Sequence, residues 1–404
     1  MSAADVGVTA AGEGLEVPVA DLADLDARVA RVAEVAGEHR ERTDRDATFP
    51  QEALAELRRG GLLGLLVPRE YGGLNGTVAD MVEASVELGR TDLSVAMIFA
   101  MHCQQVAAIA WHGGDRLREL VLPQVAGGRC YLASVTTEAG NGGDLLTAQA
   151  ALDVAGDDLV IDRFAPIVTG GEAADGFLVK MLGAAAASPN EVSLVYADRA
   201  QLEIERSGEW QPLGMRASHS VALRLRGRVP AYQVVGQPGG FAQITSSVFA
   251  PMAHLGWSAA WLGTAAGALS RVLRMLRSPK ERGRIDFGSE LLLTRLSRAR
   301  QRLDTVHALL SAATTSVTAH ADLSTPRIQL QLNALKITAA DECYRAVDEL
   351  IDAVGMRHGY LRGSRTRLEQ ALRDLRSASL NYSNDRLHLA DGRLALLDPE
   401  VRFA

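Results

Sequence analysis

The sequence contains few cysteines and lysines and no cluster of basic residues. Its three cysteines, Cys103, Cys130 and Cys343, lie far apart and show no CxxC spacing. This pattern predicts a reducing compartment and argues against a disulfide framework or a zinc site. Arginine supplies nearly all of the positive charge, and the formal net charge is −7. A negative chain without a basic patch is not typical of a protein that binds nucleic acid.

The sequence also lacks the apolar segments that signal peptides and membrane spans require. Residues 1–14 contain no basic region followed by an apolar run, so no secretory signal is predicted. The longest weakly charged stretch, residues 234–270, is interrupted by Pro238, Gly240 and Pro251, which indicates a loop leading into a buried helix. With 47% hydrophobic and 23% charged residues, the composition predicts a soluble cytoplasmic protein with no membrane partner.

The 404 residues are enough for two or three domains. Residues 1–25 are rich in alanine, glycine and acidic residues and are predicted to be a disordered tail. Apolar residues at spacings of three and four predict helices over residues 26–129, and the same spacing returns over residues 236–404. Between them, residues 130–235 contain short apolar runs separated by turn residues, which predicts a β-barrel or sandwich. The predicted fold class is therefore α+β and mostly helical.

Five short segments follow one another in a recognisable order. They are residues 67–74 (VPREYGGL), 137–144 (TEAGNGGD), 167–173 (IVTGGEA), 213–218 (LGMRAS) and 284–288 (RIDFG). Each segment is weak evidence alone, but together they resemble the motifs of the acyl-CoA dehydrogenase superfamily over about residues 45–385. The resemblance implies an N-terminal helical domain, a central β domain and a C-terminal four-helix bundle.

The resemblance also implies an FAD cofactor between the β domain and the bundle, with contacts from a neighbouring subunit. Thr137 and Thr169 match positions whose hydroxyl or backbone groups bond the flavin ring. Arg284 matches an arginine that reaches the FAD phosphates across a subunit contact, which implies a dimer or tetramer. The cofactor positions matched by this resemblance are Thr136, Thr137, Gly143, Ile167, Thr169, Arg284, Phe287, Arg295 and Gly355.

Several of the matched positions carry residues that the family does not use. Gly143 replaces the serine of its motif, Ile167 replaces the aromatic residue that screens the flavin, and Ala165 replaces a lysine of the β domain. Near the FAD phosphates, Arg295 replaces a glutamine, and residues 352–356 (DAVGM) replace a Gln-x-x-Gly-Gly segment.

The acid at Asp352 would repel a pyrophosphate. We expect either that Arg295 and Arg357 compensate for it, or that the flavin binds weakly enough to exchange.

The catalytic carboxylate of the family is also missing. In the family this base removes the α-proton of a thioester while a hydride passes to the flavin. It usually lies nine residues after the arginine of an Arg-Asp pair, within Tyr-Glu-Gly-Thr, and alignment on Arg373 and Asp374 places Tyr382 there. Other members carry the base on the first bundle helix. Residues 239–270 contain no Asp or Glu, and His254 is the one side chain there that could act as a base near neutral pH.

Tyr382 and His254 are therefore the candidate catalytic residues. A phenol titrates near pH ~10, so Tyr382 would serve better as a hydrogen-bond donor than as a base. The alternatives are that Tyr382 only fills the space of a lost glutamate and that His254 only packs within the bundle. Asp385 could enter the pocket if the alignment is wrong by a few residues.

Three functions are compatible with this resemblance. The first is an FAD-dependent dehydrogenase that desaturates an acyl thioester on CoA or a carrier protein, in specialised biosynthesis, and passes electrons to a partner. The second is a monooxygenase that takes reduced flavin from a reductase and reacts through a C4a-hydroperoxide, because the superfamily includes such members without the glutamate. The third is a non-catalytic subunit. The retained flavin positions favour the dehydrogenase.

Overall fold

The computed structural model describes residues 22–140, 144–281, 286–320 and 322–403. The predicted cofactor positions Gly143 and Arg284, and most of the tail predicted to be disordered, lie outside the described residues. Within the described residues, a helical region is followed by β-strands and then by a second helical region. This arrangement confirms the predicted fold class, which is α+β and mostly helical.

The first helical region surrounds one apolar helix. Its helices are α1 (Leu25–Asp46), α2 (Gln51–Arg59), α3 (Val78–Thr91), α4 (Leu93–His112) and α5 (Asp115–Ala126). By length and composition α4 could cross a membrane, but 94% of its most apolar window is buried inside the protein. A helix that is apolar all round and enclosed by other elements is a core helix. Its first turn is capped by Asp92, whose carboxylate accepts a hydrogen bond from the backbone N–H of Val95 at 3.2 Å.

The β region consists of two four-stranded sheets, in the orders β1-β4-β5-β8 and β2-β3-β7-β6. The strands are β1 (Leu132–Val135), β2 (Asp153–Ala155), β3 (Asp158–Val168), β4 (Gly176–Leu182), β5 (Val192–Asp198), β6 (Leu202–Ser207), β7 (Val221–Pro230) and β8 (Val234–Val235). Strand β1 is parallel to β4, whereas β3 and β7 are antiparallel. Along β3 buried and more exposed residues alternate, so alternate side chains reach the core.

The second helical region joins the first through a close contact between two helices. Its helices are α6 (Phe241–Ile244), α7 (Ala250–Leu276), α8 (Glu290–Ala319), α9 (Pro326–Gly355), α10 (Leu368–Leu375) and α11 (Asn384–Ala395). A Cβ atom at Gly263 of α7 would lie 2.0 Å from the backbone oxygen of Val86 of α3, and one at Gly267 would lie 2.4 Å from that of Arg90. Only glycine permits this approach, and the two helical regions share one apolar core.

Candidate active site

A cavity of about 610 Å³ lies where the β region meets α4, the start of α7 and the turn before α11. A single π-helical turn, Thr245–Phe249, leads into α7 and contributes both of its end residues to the lining. Such turns are frequent at functional sites. The sequence-predicted residues that line the cavity are Thr136, Thr137, Ile167, Thr169, His254 and Tyr382. Both candidate catalytic residues and four candidate cofactor positions therefore belong to one site.

The wall that the β region contributes is rich in hydroxyl groups. Thr137 follows β1, and its Oγ1 donates to the backbone oxygen of Ile167 in β3 at 2.8 Å. Thr169 Oγ1 lies 2.9 Å from Ser220 Oγ, which lies 2.9 Å from Ser218 Oγ. Sequence reasoning missed both serines, although Ser218 closes the LGMRAS motif. Hydroxyl groups donate and accept, so this wall can bond the polar edge of a ligand ring.

A buried carboxylate, Glu138, lies behind the hydroxyl groups. It accepts hydrogen bonds from the backbone N–H groups of Gln149 and Ala150, each at 3.1 Å. Arg163 Nη2 lies 3.7 Å from its carboxylate, and Lys180 Nζ lies 3.6 Å from it. Burial acts to raise the pKa of Glu138, but these backbone groups and cations outweigh burial and hold the pKa below its ordinary value. Glu138 is therefore ionised and fully engaged.

We call Glu138, Arg163 and Lys180 the Glu138 cluster. Its two cations, Arg163 and Lys180, lie on β3 and β4. They also hold the flanking backbone, because Arg163 donates to the backbone oxygen of Thr137 at 2.6 Å. Lys180 Nζ donates at 2.7 Å to the backbone oxygens of two residues further along the same segment. The cluster thus fixes the segment that carries the predicted flavin contact Thr137.

His254 lies on α7, with only 3% of its surface exposed. Its Nδ1 atom has no hydrogen-bond partner among the described residues. Burial and then the nearby charge of Lys336 lower the pKa of His254 to about 3, against a smaller opposing effect from the Leu332 backbone. The imidazole is therefore neutral at physiological pH, and it is a very weak base.

Tyr382 lies just before α11, and its ring centroid is 6.4 Å from that of His254. Burial and then the charge of Asp144 raise the pKa of the phenol, while Arg386 opposes this shift weakly. The phenol is therefore protonated at neutral pH, where it can donate a hydrogen bond to a ligand. Asp385, the alternative acid, is exposed on α11 and does not line the cavity.

The φ angle of Tyr382 helps to decide how this chain aligns with the Tyr-Glu-Gly-Thr segment of the family. This angle is +50°, a conformation that glycine adopts more readily than other residues. In the Tyr-Glu-Gly-Thr segment of the family, glycine directly follows the glutamate. A register shifted by one residue would therefore place Tyr382 at the glycine and Asn381 at the glutamate. Asn381 also lines the cavity, so neither register supplies a carboxylate.

Another part of the cavity lining is mainly apolar. Met97 and Met101 of α4 and Trp257 of α7 line it, together with Trp210 and Leu213 from the loop before β7. Apolar walls of this kind exclude water and bind apolar ligands.

The Arg-Asp pair used for alignment fastens this loop. Asp374 accepts a hydrogen bond from the backbone N–H of Met215 at 2.7 Å, and Arg373 donates to the backbone oxygen of Leu213 at 3.1 Å. Arg373 also pairs with Asp44 at the end of α1, at 2.7 Å. The pair therefore has a structural role at the edge of the cavity.

Three predicted cofactor residues, Phe287, Arg295 and Gly355, do not line the cavity. They lie near the start of α8 and the end of α9, where Phe287 is half-exposed. Arg295 Nη2 lies 3.7 Å from an Asp352 carboxylate oxygen, whereas Arg357 forms no ion pair among the described residues. Arg295 is therefore placed to offset the charge of Asp352, and its own charge is then partly satisfied within the chain.

Two family models match this chain. "Acyl-CoA dehydrogenase, N-terminal domain" matches residues 22–129, and "Acyl-CoA dehydrogenase, C-terminal domain" matches residues 239–381. Together they account for more than half of the chain and flank the β region. The chain belongs to the acyl-CoA dehydrogenase superfamily, and it is an oxidoreductase of the flavoenzyme class. The predicted family is therefore confirmed.

The curated relatives include both reaction types of the superfamily. The probable acyl-CoA dehydrogenase FadE25 of Mycobacterium leprae (strain TN) is 24% identical over 89% of this chain and 90% of its own length. Dibenzothiophene monooxygenase of Rhodococcus qingshengii is 28% identical over 59% of this chain and 58% of its own length. At this similarity the relatives do not distinguish dehydrogenation from oxygenation.

Solved structures with the same fold show the same division. Butyryl-CoA dehydrogenase of Megasphaera elsdenii has a TM-score of 0.82 at 18% identity and covers 97% of this chain and 100% of its own. FMN-bound TdsC of Paenibacillus sp. A11-2 has a TM-score of 0.81 at 21% identity, covering 94% and 98%. The prolyl acyl carrier protein oxidase AnaB has a TM-score of 0.79 at 19% identity, covering 92% and 98%. These likenesses show the fold.

Proposed function

We propose that this flavoenzyme is a monooxygenase that uses reduced flavin and O2 to oxygenate an apolar small molecule. One observation carries the proposal: no cavity-lining side chain within the described residues is a usable proton acceptor at neutral pH. Dehydrogenation of a thioester needs such an acceptor, because the α-proton leaves as the hydride is transferred. Oxygenation with reduced flavin does not need one, since the flavin and O2 supply the oxidising chemistry.

Three cavity-lining groups could in principle accept a proton, and each is poorly suited. Glu138 is held by two backbone N–H groups and two cations, which lower its pKa. Burial and the charge of Lys336 lower the pKa of His254 to about 3. Burial raises the pKa of Tyr382, so the phenol keeps its proton. With these protonation states, Tyr382 can donate a hydrogen bond to a ligand, but none of the three groups is suited to remove a proton from one.

The cavity fits the flavin that the family implies. Hydroxyl groups of Thr136, Thr137 and Thr169 border the cavity and can bond the polar edge of an isoalloxazine ring. The Glu138 cluster holds the segment that carries Thr137. We further propose FAD as the flavin, because Arg284 of the RIDFG segment matches the family arginine that reaches the FAD phosphates. Chromatography of the flavin released by heat would distinguish FAD from FMN.

The remaining lining residues would bind and orient the substrate. The Tyr382 hydroxyl would donate to an oxygen atom at the reacting end of the cavity. The apolar side chains of Met97, Met101 and Trp257 would exclude water from that end. An apolar chamber with one phenolic donor supports the proposal of a compact apolar substrate.

The proposal can be tested by oxygen labelling. The purified protein would receive reduced flavin from a flavin reductase under ¹⁸O₂, together with a panel of apolar aromatic compounds. Incorporation of one ¹⁸O atom into a product would support oxygenation, provided that a Tyr382→Phe variant forms less of it. Flavin oxidation without a labelled product from any compound would count against the proposal.

A second candidate is oxidation of an acyl thioester on CoA or a carrier protein. The neutral imidazole of His254 favours it, because Nδ1 has no partner within the described residues and could receive a proton. With a pKa of about 3, this group could deprotonate only a strongly acidified carbon. If thioesters reduce the flavin, a His254→Gln variant should abolish that reduction.

We also propose a homo-oligomer, a dimer or tetramer, in the cytoplasm, with a flavin reductase or electron-transfer protein as partner. Exposed apolar residues support a subunit contact at the start of α8 and beyond the end of α9. They are Phe287, Leu291, Leu293, Met356 and Tyr360. Light scattering after size-exclusion chromatography would give the mass, and Leu293→Glu should lower it if this surface is the contact.

A further inference from the structure

A buried lysine lies behind the cavity and does not line it. The side chain of Lys336 on α9 is fully buried, and Lys336 is not among the lining residues. Its Nζ atom donates to the backbone oxygen of Ala378 at 3.1 Å, to that of Tyr382 at 3.1 Å, and to Oδ1 of Asn384 at 2.7 Å. An ammonium group has three donors, so each has an acceptor. This geometry satisfies a charge that would otherwise be costly to bury.

Two of these acceptors, Ala378 and Tyr382, belong to the turn between α10 and α11, and the third, Asn384, is the first residue of α11. Residues of the same turn, including Leu380, Asn381 and Tyr382, line the cavity. Tyr382 has a φ angle of +50°, which persists in a non-glycine residue only when its surroundings enforce it. Lys336 bonds the backbone oxygen of Tyr382 itself, so the constraint acts directly at the residue with this unusual conformation.

The remaining contacts of Lys336 hold its ammonium group in place. Asn384 Nδ2 donates at 3.0 Å to Oδ1 of Asp341, which lies on α9 like Lys336. This bond fixes the orientation of the amide. The aspartate thereby balances the ammonium charge through one intervening side chain. The Trp261 ring centroid lies 5.7 Å from Nζ, a distance compatible with a cation–π contact. The position of the ammonium group is therefore set from three helices, α7, α9 and α11.

We propose that Lys336 is a positioning residue of the cavity. By bonding two backbone oxygens of the turn before α11 and the side chain of Asn384 at the start of α11, it holds the Tyr382 ring beside His254, at a centroid distance of 6.4 Å. The proposal concerns the placement of the phenol and holds whichever reaction the site performs. It predicts that loss of Lys336 displaces one tyrosine and leaves the others in place.

The test uses the full-length, flavin-loaded protein labelled with 3-fluorotyrosine. The chain contains seven tyrosines, and the ¹⁹F signal of Tyr382 is the one lost in a Tyr382→Phe variant. A Lys336→Met variant keeps the volume but removes the three hydrogen bonds. We expect the Tyr382 signal to shift or broaden by more than its own width while the other signals stay in place. A folded Lys336→Met protein with an unchanged Tyr382 signal would overturn the proposal.

Two further variants separate positioning from stability. Leu350 is also on α9 and fully buried, so Leu350→Ala lowers the melting temperature but should leave the Tyr382 signal where it is. If Lys336→Met does not fold, Asn384→Ala removes a single acceptor and should move the Tyr382 signal in the same way but less. An unmoved signal in Asn384→Ala, or the same displacement in Leu350→Ala, would show that Lys336 only stabilises the fold.

Discussion

The cavity has two walls that differ in charge. The wall from the β region, with Thr137, Glu138 and Thr169, is the β wall, and the wall from α7 and the turn before α11, with His254 and Tyr382, is the helical wall. On the β wall, Glu138 is ionised and paired with Arg163 and Lys180, and hydroxyl groups border the cavity. On the helical wall, Tyr382 and His254 are both uncharged at neutral pH, because burial raises the pKa of one and lowers that of the other. The β wall carries the hydroxyl groups that we propose for flavin binding, whereas the helical wall carries no carboxylate among its described residues. Under this proposal the cofactor side of the site persists while its reaction side changes.

The largest effect should follow from removing the charge of the β wall. Glu138→Ala leaves Arg163 and Lys180 buried without their carboxylate, and breaking a buried ion pair in this way costs ~3–5 kcal/mol. We expect the free energy of unfolding in urea to fall by this amount and the bound flavin to be lost. As a control, Glu205→Ala removes an exposed partner of Arg226 and should cost ~0.5 kcal/mol. A Glu138→Ala protein as stable as this control would contradict the account of the β wall.

Introducing a carboxylate into the helical wall should give the protein the proton acceptor that dehydrogenation needs. A general base contributes ~10²–10⁴-fold to a rate, so Asn381→Glu should speed anaerobic flavin reduction by acyl-CoA ~10²-fold or more. The matched variant Tyr382→Glu should gain less, because its backbone conformation suits the glycine of the family motif. If Tyr382→Glu gains more rate than Asn381→Glu, Tyr382 and not Asn381 is the residue that aligns with the family's glutamate.

Acid titration of stability should show how much of the pH dependence comes from His254. Its pKa is about 3 in the folded chain and ~6.5 when unfolded. Between these values the unfolded chain binds more protons, so stability is present above pH ~6.5 and is lost as the pH falls. We expect His254→Gln to reduce the pH slope of unfolding free energy by up to ~1.4 kcal/mol per pH unit. His307→Gln, at an exposed position on α8, is the control for the substitution itself.

The smallest effect should come from a single hydroxyl group of the β wall. Thr169→Val keeps the shape but removes a partner of Ser220 and a donor facing the cavity. One hydrogen bond is worth ~1 kcal/mol, so the flavin dissociation constant should rise ~5-fold. Flavin fluorescence titration measures this. Thr305→Val, on α8, is the control. If the dissociation constant of Thr169→Val is the same as that of this control, Thr169 does not bond the flavin.

The sequence predicts the fold class, the family and much of the cavity, because its motifs lie close to the residues they position. Thr137, Thr169 and Tyr382 are examples, since each lies within or a few residues from a recognisable segment. The Glu138 cluster was not predicted. Arg163 and Lys180 lie on β3 and β4, which belong to different sheets, and their meeting depends on how those sheets pack.

The burial of Lys336 and its contacts could not be predicted from the sequence either. Nothing in the residues around Lys336 marks its side chain as buried or identifies its acceptors on a turn more than forty residues away. The shift of the His254 pKa also depends on this packing. Strand β6 carries a weak sequence signal for a local reason, because half of its residues, LEIERS, are charged and it is exposed at a sheet edge.

Anaerobic mixing of the flavin-loaded protein with acyl-CoA and acyl-carrier thioesters tests the central claim most directly. The claim is that the helical wall contains no usable base, so thioesters should bind without being oxidised. We therefore predict that the ~450 nm band of the oxidised flavin persists with every thioester. Rapid bleaching of that band by any thioester in the wild-type protein would contradict the claim and establish a dehydrogenase.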